Sequence, residues 1–312
     1  MRGTLALAAC LVVAAGVGVS ARAATGPSPF PSGKVLDLFV AAQTVAPDGS
    51  MGNIFKHGDT VIFRAYAADP ATKKVVAQKD IRYFYVTIPG QPNVKLTYSP
   101  TAPGASKGLP WTGSWVVPAS YPLGAVAYKV LVQAAAKSKD GKQRKGQFVP
   151  MPVSSAVLQI AASSPTSMGP GPNAGAAGAS ASGTQDVAIY VDTVNGTRPA
   201  AGTPARPVGC TQTNVYKHGE QVVVRAWGSD LSTGSTLLTT DNVDSALFQI
   251  PGQPDVTLNY GPHGTAGAQV FFWAAPWIIP ANFPIGDTTI HVVFKLTNGK
   301  TGSYDQAINV IP

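Results

Sequence analysis

Two histidines stand in the same local sequence and are the first residues to consider for chemistry. His57 and His218 each follow a lysine and precede a glycine, whereas His263 and His291 are isolated. A base or metal role needs partner groups, and no second His, Cys or acid cluster lies near either histidine in sequence. The context therefore predicts polar turn residues before a strand, with glycine supplying an unusual backbone angle.

The acidic residues give an equally sparse pattern. Asp59 and Glu220 recur at matching places, and so do Asp69 and Asp230. Acids at these places are typical of strand ends, where they cap turns. The sequence contains no Gly-x-Ser-x-Gly, phosphate-binding loop, Cys-x-x-Cys or His-Glu-x-x-His motif. We therefore predict no catalytic residue, no metal site and no cofactor, and a protein that is not an enzyme.

Paired tryptophans are the most distinctive aromatic feature. Trp111 and Trp115 are four residues apart, and so are Trp273 and Trp277. On a strand this spacing puts both rings of a pair on one face. If that face points inward, the rings belong to a core. If it points outward, the paired indoles form a stacking platform for sugars or other flat ligands.

Basic side chains crowd one expected hairpin around Asp140 and Gly141. They are Lys137, Lys139, Lys142, Arg144 and Lys145. Residues 24–160 hold 15 basic and 6 acidic side chains, a net +9, whereas residues 161–312 hold 6 and 9, a net −3. The hairpin is either a solvated loop or a docking point for an acidic polymer, membrane headgroups or an acidic protein. Nucleic acid is not expected, because no recognised fold or interleaved aromatic motif accompanies the charge.

The first 23 residues read as a secretory signal peptide. Arg2 precedes an apolar stretch, and Ala21-Arg22-Ala23 offers small residues for cleavage after Ala23. The stretch is shorter than the ~20 apolar residues of a membrane-spanning helix. We therefore expect a secreted or periplasmic protein with no transmembrane segment after signal removal. Cleavage would remove Cys10 and leave Cys210 as a lone thiol.

The chain repeats itself once. Residues 88–92 recur unchanged as residues 250–254, and residues 115–124 match residues 277–286. The offset is 161 at His57 and 162 from Ile88 through Gly124. A near-constant offset over some 70 residues predicts two copies of one domain.

The copies are separated by a segment that carries no charge and no aromatic residue, residues 161–185. Such a composition predicts a flexible Gly/Ala/Ser/Pro-rich tether. The expected organisation is a signal peptide at 1–23, a basic domain at 24–160, the tether, and a slightly acidic domain at 186–312. The tether alone would not lock the two domains together.

Each copy predicts an all-β sandwich. Short apolar runs alternate with turn residues, Asp-Gly and Asn-Gly mark late hairpins, and no sustained helical periodicity appears. About seven expected strands in ~125 residues is a strand number and length typical of an immunoglobulin-like sandwich. The chain resembles tandem bacterial immunoglobulin-like or fibronectin type III-like modules of secreted proteins over nearly all of its expected mature length. The resemblance is architectural, since the Cys…Trp…Cys signature is absent.

These patterns predict a secreted or periplasmic, non-enzymatic binding or structural protein, such as a partner-docking component of the bacterial cell envelope. Its partner would be an acidic envelope polymer or protein, contacted through the basic hairpin. One alternative is a carbohydrate-binding module that contacts a polysaccharide through the paired tryptophans. Another is an accessory subunit of a periplasmic enzyme.

Overall fold

The structure is a computed structural model that describes residues 37–99, 109–150, 157–163, 171, 186–196, 210–233, 236–263 and 269–312. The expected signal peptide and most of the expected tether lie outside these residues. We call residues 37–163 the N-terminal half and residues 186–312 the C-terminal half. Within the described residues the fold is nearly all β, as expected, and its helical elements are two short 3-10 turns, Gln78–Asp80 and Leu231–Thr233.

The N-terminal half contains twelve described strands. They are β1 Phe39–Val45, β2 Ile54–Phe55, β3 Thr60–Asp69, β4 Lys74–Val75, β5 Ile81–Thr87, β6 Val94–Lys95, β7 Thr97–Tyr98, β8 Trp111–Val116, β9 Gly124–Val126, β10 Lys129–Lys137, β11 Gln143–Phe148 and β12 Leu158–Ile160. They form sheets ordered β1-β3-β8-β7 (with β4 on β3), β11-β10-β5-β6 and β2-β12-β9.

The C-terminal half contains ten described strands. They are β13 Val187–Asn195, β14 Val215–Lys217, β15 Gln221–Asp230, β16 Thr236–Leu237, β17 Val243–Gln249, β18 Val256–Thr257, β19 Asn259–His263, β20 Val270–Ile278, β21 Gly286–Leu296 and β22 Thr301–Ile311. The sheets are ordered β13-β15-β20-β19 (with β16 on β15) and β14-β22-β21-β17-β18.

The two halves share one strand order, but the N-terminal half is more interrupted. The C-terminal half runs β21 and β22 as continuous strands, whereas the matching stretches of the N-terminal half divide into β9 and β10, and into β11 and β12. The sequence predicts a single strand over 147–160. Pro150 ends that run soon after Phe148, because proline has no N–H to give to a ladder.

The hairpin turns follow the sequence expectation. Gly141 and Gly299 take φ angles of 79° and 81°, and Gly90 and Gly252 take 71° and 74°. These are left-handed conformations that glycine adopts without a steric cost. The turns therefore place β10 against β11, and β21 against β22, as antiparallel pairs.

The first strand of each half is buried along its entire length. Every residue of β1 and of β13 is buried, although a strand with one wet face would alternate. The inward face of β1 packs in the core of its own half. The outward face, with Phe39 and Ala41, belongs to the apolar cluster of the other half.

This contact between the halves, which we call the seam, also includes the outward face of β3. Tyr66 on β3 donates a hydrogen bond from its hydroxyl to the carbonyl of Ile189. At another point the backbone N–H of Met51 donates to Oδ1 of Asn214 at 2.7 Å. The halves are thus joined by side-chain packing and hydrogen bonds in addition to the covalent chain.

Close approach of strands in each half requires one glycine. Gly146 on β11 and Gly302 on β22 lie at equivalent register positions, opposite Val132 and Phe294. A Cβ on Gly146 would lie 2.6 Å from the carbonyl oxygen of Leu38, and one on Gly302 would lie 2.5 Å from Cβ of Val187. Larger residues here would push the first strand away.

We predict that Gly146→Ala destabilises the protein by about 1–3 kcal/mol, because the new methyl group overlaps backbone that is fixed in a sheet. Gly261→Ala is the control, since a Cβ there meets nothing within 4 Å. The free energies of unfolding would be measured with a chemical denaturant. Equal stability of the two variants would contradict the close packing of β1 on β11.

Candidate functional site

The basic hairpin forms the turn between β10 and β11. Ser138 and Lys142 close it, with the N–H of Ser138 donating to the carbonyl of Lys142 at 2.9 Å. Its four lysines, Lys137, Lys139, Lys142 and Lys145, are all exposed, and Arg144 is half-buried. The structure therefore places the five bases together on one turn at the surface.

Two of the five bases are engaged within the protein. Arg144 forms a bidentate ion pair with Asp69, and its Nη2 also donates to the carbonyl of Asp37 at 3.1 Å. Burial opposes ionisation of Asp69, yet hydrogen bonds from Arg144 and Ala71 hold its pKa below the ordinary value. Arg144 therefore ties the hairpin to the end of β3.

Lys142 contacts the acid of its own turn. Its Nζ lies 2.9 Å from Oδ2 of Asp140, and both side chains are exposed. Hydrogen bonds from Ser138 and Lys142 lower the pKa of Asp140 to about 2. A pair this exposed adds little stability. Lys137, Lys139 and Lys145 remain as exposed charges that form no ion pair with the described residues.

All four tryptophans of the candidate platform are buried. Trp111, Trp115, Trp273 and Trp277 are between 2% and 8% exposed. The indole N–H of Trp111 donates to the carbonyl of Val76, and that of Trp273 donates to the carbonyl of Leu238.

The other ring of each pair packs on the following loop. The ring centroids of Trp115 and Tyr121 lie 5.0 Å apart in an edge-on arrangement. Those of Trp277 and Phe283 lie 5.2 Å apart in the same arrangement. Because neither pair presents a free face, the alternative that the paired tryptophans point outward as a stacking platform is wrong. These rings fill the two cores and offer no stacking surface for a sugar.

The repeated histidines hold loops in place. Nε2 of His57 lies 2.7 Å from the carbonyl oxygen of Tyr121, and Nε2 of His218 lies 2.7 Å from that of Phe283. Each histidine therefore fastens the loop that covers the second tryptophan of its half. Within the described ranges no group of three or more His, Cys, Asp or Glu is placed to hold a metal ion.

The repeated acids also bond to turns. Asp59 accepts a hydrogen bond from the N–H of Lys56 at 2.9 Å, and Glu220 accepts one from Lys217 at 2.8 Å. Asp230 accepts from Asn298 at 3.0 Å. These carboxylates shape strand ends, as the sequence indicates.

Cys210 differs from the sequence expectation of a lone thiol. It takes part in a disulfide bond, and its φ is 59°. The only other cysteine of the chain is Cys10, which lies outside the described residues.

The seam contains a buried ion pair that the sequence analysis missed. Arg225 on β15 donates through Nε to Oδ1 of Asp192 on β13 at 2.6 Å and through Nη2 to Oδ2 at 2.8 Å. The two side chains are 3% and 1% exposed. Gln212 and Tyr190 also donate to the carboxylate, at 2.8 and 3.1 Å. The two residues are in register on neighbouring strands, a relation that their spacing in the sequence does not reveal.

Aromatic rings surround this pair. The guanidinium of Arg225 lies 5.8 Å from the ring centre of Trp227 and 5.9 Å from that of Phe272. Tyr190 in turn packs against Phe148 of the other half at 5.7 Å. Next to this group, His263 stacks on Phe272 at 3.8 Å, and burial lowers the pKa of the histidine to about 4.

Four large apolar side chains are exposed among the described residues, and they stand at equivalent places. Val116 and Leu123 are 59% and 58% exposed in the N-terminal half, and Ile278 and Ile285 are 49% and 60% exposed in the C-terminal half. Each pair is separated by seven residues and flanks the loop that its histidine fastens. None of the described 3-10 turns is long or apolar enough to cross a membrane.

We predict that Asp192→Asn destabilises the protein by about 3–5 kcal/mol, because it leaves the Arg225 charge buried without its carboxylate. Asp244→Asn is the matched control, since Asp244 pairs with Lys295 at 3.0 Å on the exposed surface. Loss of that pair should cost less than about 1 kcal/mol. Denaturant unfolding would compare the two, and equal losses would show that the seam pair is not insulated from water.

No protein-family model matches the chain, and no curated protein matches it. Among solved structures, the chain is similar to SGBP-B of the Bacteroides ovatus mixed-linkage glucan utilization locus, which was solved in complex with a mixed-linkage heptasaccharide. The identity is 11%, the TM-score is 0.17, and the match covers 83% of this chain. This chain spans 43% of the length of that protein. A TM-score of this size is too low to transfer that protein's ligand to this chain.

Proposed function

We propose that the protein is a secreted or periplasmic, non-enzymatic binding or structural protein that docks an acidic envelope polymer or protein through its basic hairpin. It would consist of two tandem immunoglobulin-like β-sandwich domains, at 24–160 and 186–312. The matching strand orders of the two halves support this division.

The observation that carries the docking role is a set of charges that the fold does not use. Lys137, Lys139 and Lys145 are exposed and make no ion pair with the described residues. Clustered like charges on an exposed turn create a positive potential that attracts an acidic partner. Arg144, by contrast, contributes to the structure through Asp69.

The C-terminal half supplies an internal comparison. Its corresponding turn, residues 297–302, has the same backbone hydrogen bond, from Leu296 to the carbonyl of Lys300 at 2.8 Å. The matching nine-residue span, residues 295–303, carries two lysines, Lys295 and Lys300, in place of five bases. The turn therefore forms without the added charges, which favours a role for the lysines in binding.

The non-enzymatic part of the proposal is supported by what the titratable groups do. His57 and His218 bond to loop carbonyls, Asp59 and Glu220 bond to turn N–H groups, and Asp192 neutralises Arg225. Groups committed to structural bonds in both halves are poor candidates for proton transfer.

We predict that Lys137→Gln/Lys139→Gln/Lys145→Gln lowers the salt concentration that elutes the full chain from immobilised polyglutamate or dextran sulfate. The reason is the loss of three charges from one site, whose attraction is screened by salt. The control is Lys56→Gln/Lys95→Gln/Lys129→Gln, which removes three exposed lysines elsewhere on the same half.

The two triple variants have the same net charge, so a general charge effect would shift both equally. Docking at the hairpin requires a larger shift for the hairpin variant, with an unchanged unfolding temperature. Equal shifts for the two variants, or none for the hairpin variant, would overturn the proposed contact.

A further inference from the structure

Both halves have an arginine at the same position of the seam, but only the C-terminal half pairs the arginine with a carboxylate. Arg64 on β3 and Arg225 on β15 each stand beside the first strand of their half. Arg225 is in register with Asp192, whereas Arg64 is in register with Gln43. The C-terminal half thus supplies a carboxylate and the N-terminal half supplies a neutral amide.

Arg64 is nevertheless buried, at 8% exposure. No described residue accepts a hydrogen bond from its guanidinium, and its Nε is fully enclosed without an acceptor. Its neighbour on the other side, Thr112 of β8, is also uncharged. A buried cation without a counter-charge is strongly unfavourable. An anion bound next to the guanidinium of Arg64 would offset that cost.

Gln43 cannot provide that charge and is committed elsewhere. Its Nε2 donates to the carbonyl of Val191 at 2.7 Å and to Oε1 of Gln306 at 3.1 Å. The side chain therefore presents a donor group to the C-terminal half. This use of Gln43 fixes the seam but leaves Arg64 uncompensated.

A second donor lies beside Arg64. Tyr304 of β22 is 1% exposed, and its hydroxyl oxygen is approached by Nε2 of Gln43 at 3.4 Å. No described residue accepts the hydroxyl proton of Tyr304. Arg64 and Tyr304 influence each other electrostatically, and burial lowers the pKa of Arg64 to about 10.

We propose that the seam binds a small monovalent anion, such as chloride or a simple carboxylate, between the guanidinium of Arg64 and the hydroxyl of Tyr304. The anion supplies the negative charge that the Asp192 carboxylate supplies beside Arg225. The ligand would be held by both halves, so its binding would stabilise the seam.

The test compares thermal unfolding of the full chain in sodium chloride and in sodium isethionate at equal ionic strength. The bulkier isethionate serves as an anion too large for the site. Linkage predicts that the unfolding temperature rises in chloride by about 3 °C per tenfold concentration above the dissociation constant. Sodium formate in place of chloride distinguishes a carboxylate ligand from a halide.

Two variants locate the effect. Arg64→Met removes the cation, and Gln43→Asp supplies an internal carboxylate like that of Asp192. Each should reduce the chloride-specific rise at least fivefold, and Gln43→Asp keeps the test valid if Arg64→Met does not fold. Broadening of the chloride-35 resonance by the wild-type chain, and not by either variant, is the second expected readout.

The proposal is overturned if the wild-type chain unfolds at the same temperature in all three salts, which would mean that water alone solvates Arg64. It is also overturned if a folded Arg64→Met variant keeps the full chloride effect. In that case the anion acts elsewhere on the protein.

Discussion

The structure depends on covering the outward faces of the first strand of each half. β1 and β13 are buried along every residue, and their outward faces carry both apolar rings and charged groups. Exposed to water, Phe39 and Tyr66 would lose their apolar packing. Asp192 and Arg225 satisfy each other within the C-terminal half, where Tyr190 and Gln212 also donate to the carboxylate. Association of the halves therefore removes the apolar rings from water and covers an ion pair whose partners are already in place.

The seam is built from equivalent residues used in different ways. Phe148 and Tyr304 lie at matching register positions, opposite Val130 and Val292, and each reaches the first strand of the other half. One side of the resulting contact is closed by the Asp192–Arg225 pair, and the other by the Gln43 amide next to Arg64. The two halves thus share one strand order but differ in the groups beside their buried arginines. They also differ in the basic hairpin, which only the N-terminal half carries.

Much of the architecture follows from local sequence signals. Alternating apolar residues, Asp-Gly and Asn-Gly turns, and the offset of 161–162 residues are short-range patterns, so the strands, the hairpins and the correspondence between halves could be predicted. The orientation of the tryptophans could not be predicted from spacing alone, because a spacing of four puts both rings on one face without saying which face is inward. Their burial, and the hydrogen bonds of Trp111 to Val76 and of Trp273 to Leu238, decide that question.

The seam could not be predicted for a different reason. The pairing of Asp192 with Arg225, and the burial of Arg64, depend on which strands are neighbours and on what covers the sheet from outside. Both are tertiary facts with no fixed sequence spacing. The same holds for the hairpin, where the sequence shows five bases but not which of them are paired. The contacts with Asp69 and Asp140 separate Arg144 and Lys142 from the three other lysines.

Cleavage of the chain between its halves tests the seam most directly. A protease site would be introduced within residues 172–185 of the full chain, and the cut protein would be analysed by size-exclusion chromatography under reducing conditions. If the seam joins the halves, the two fragments elute together at the volume of the uncut chain and separate only in denaturant. Elution as two independent fragments in native buffer would contradict the account.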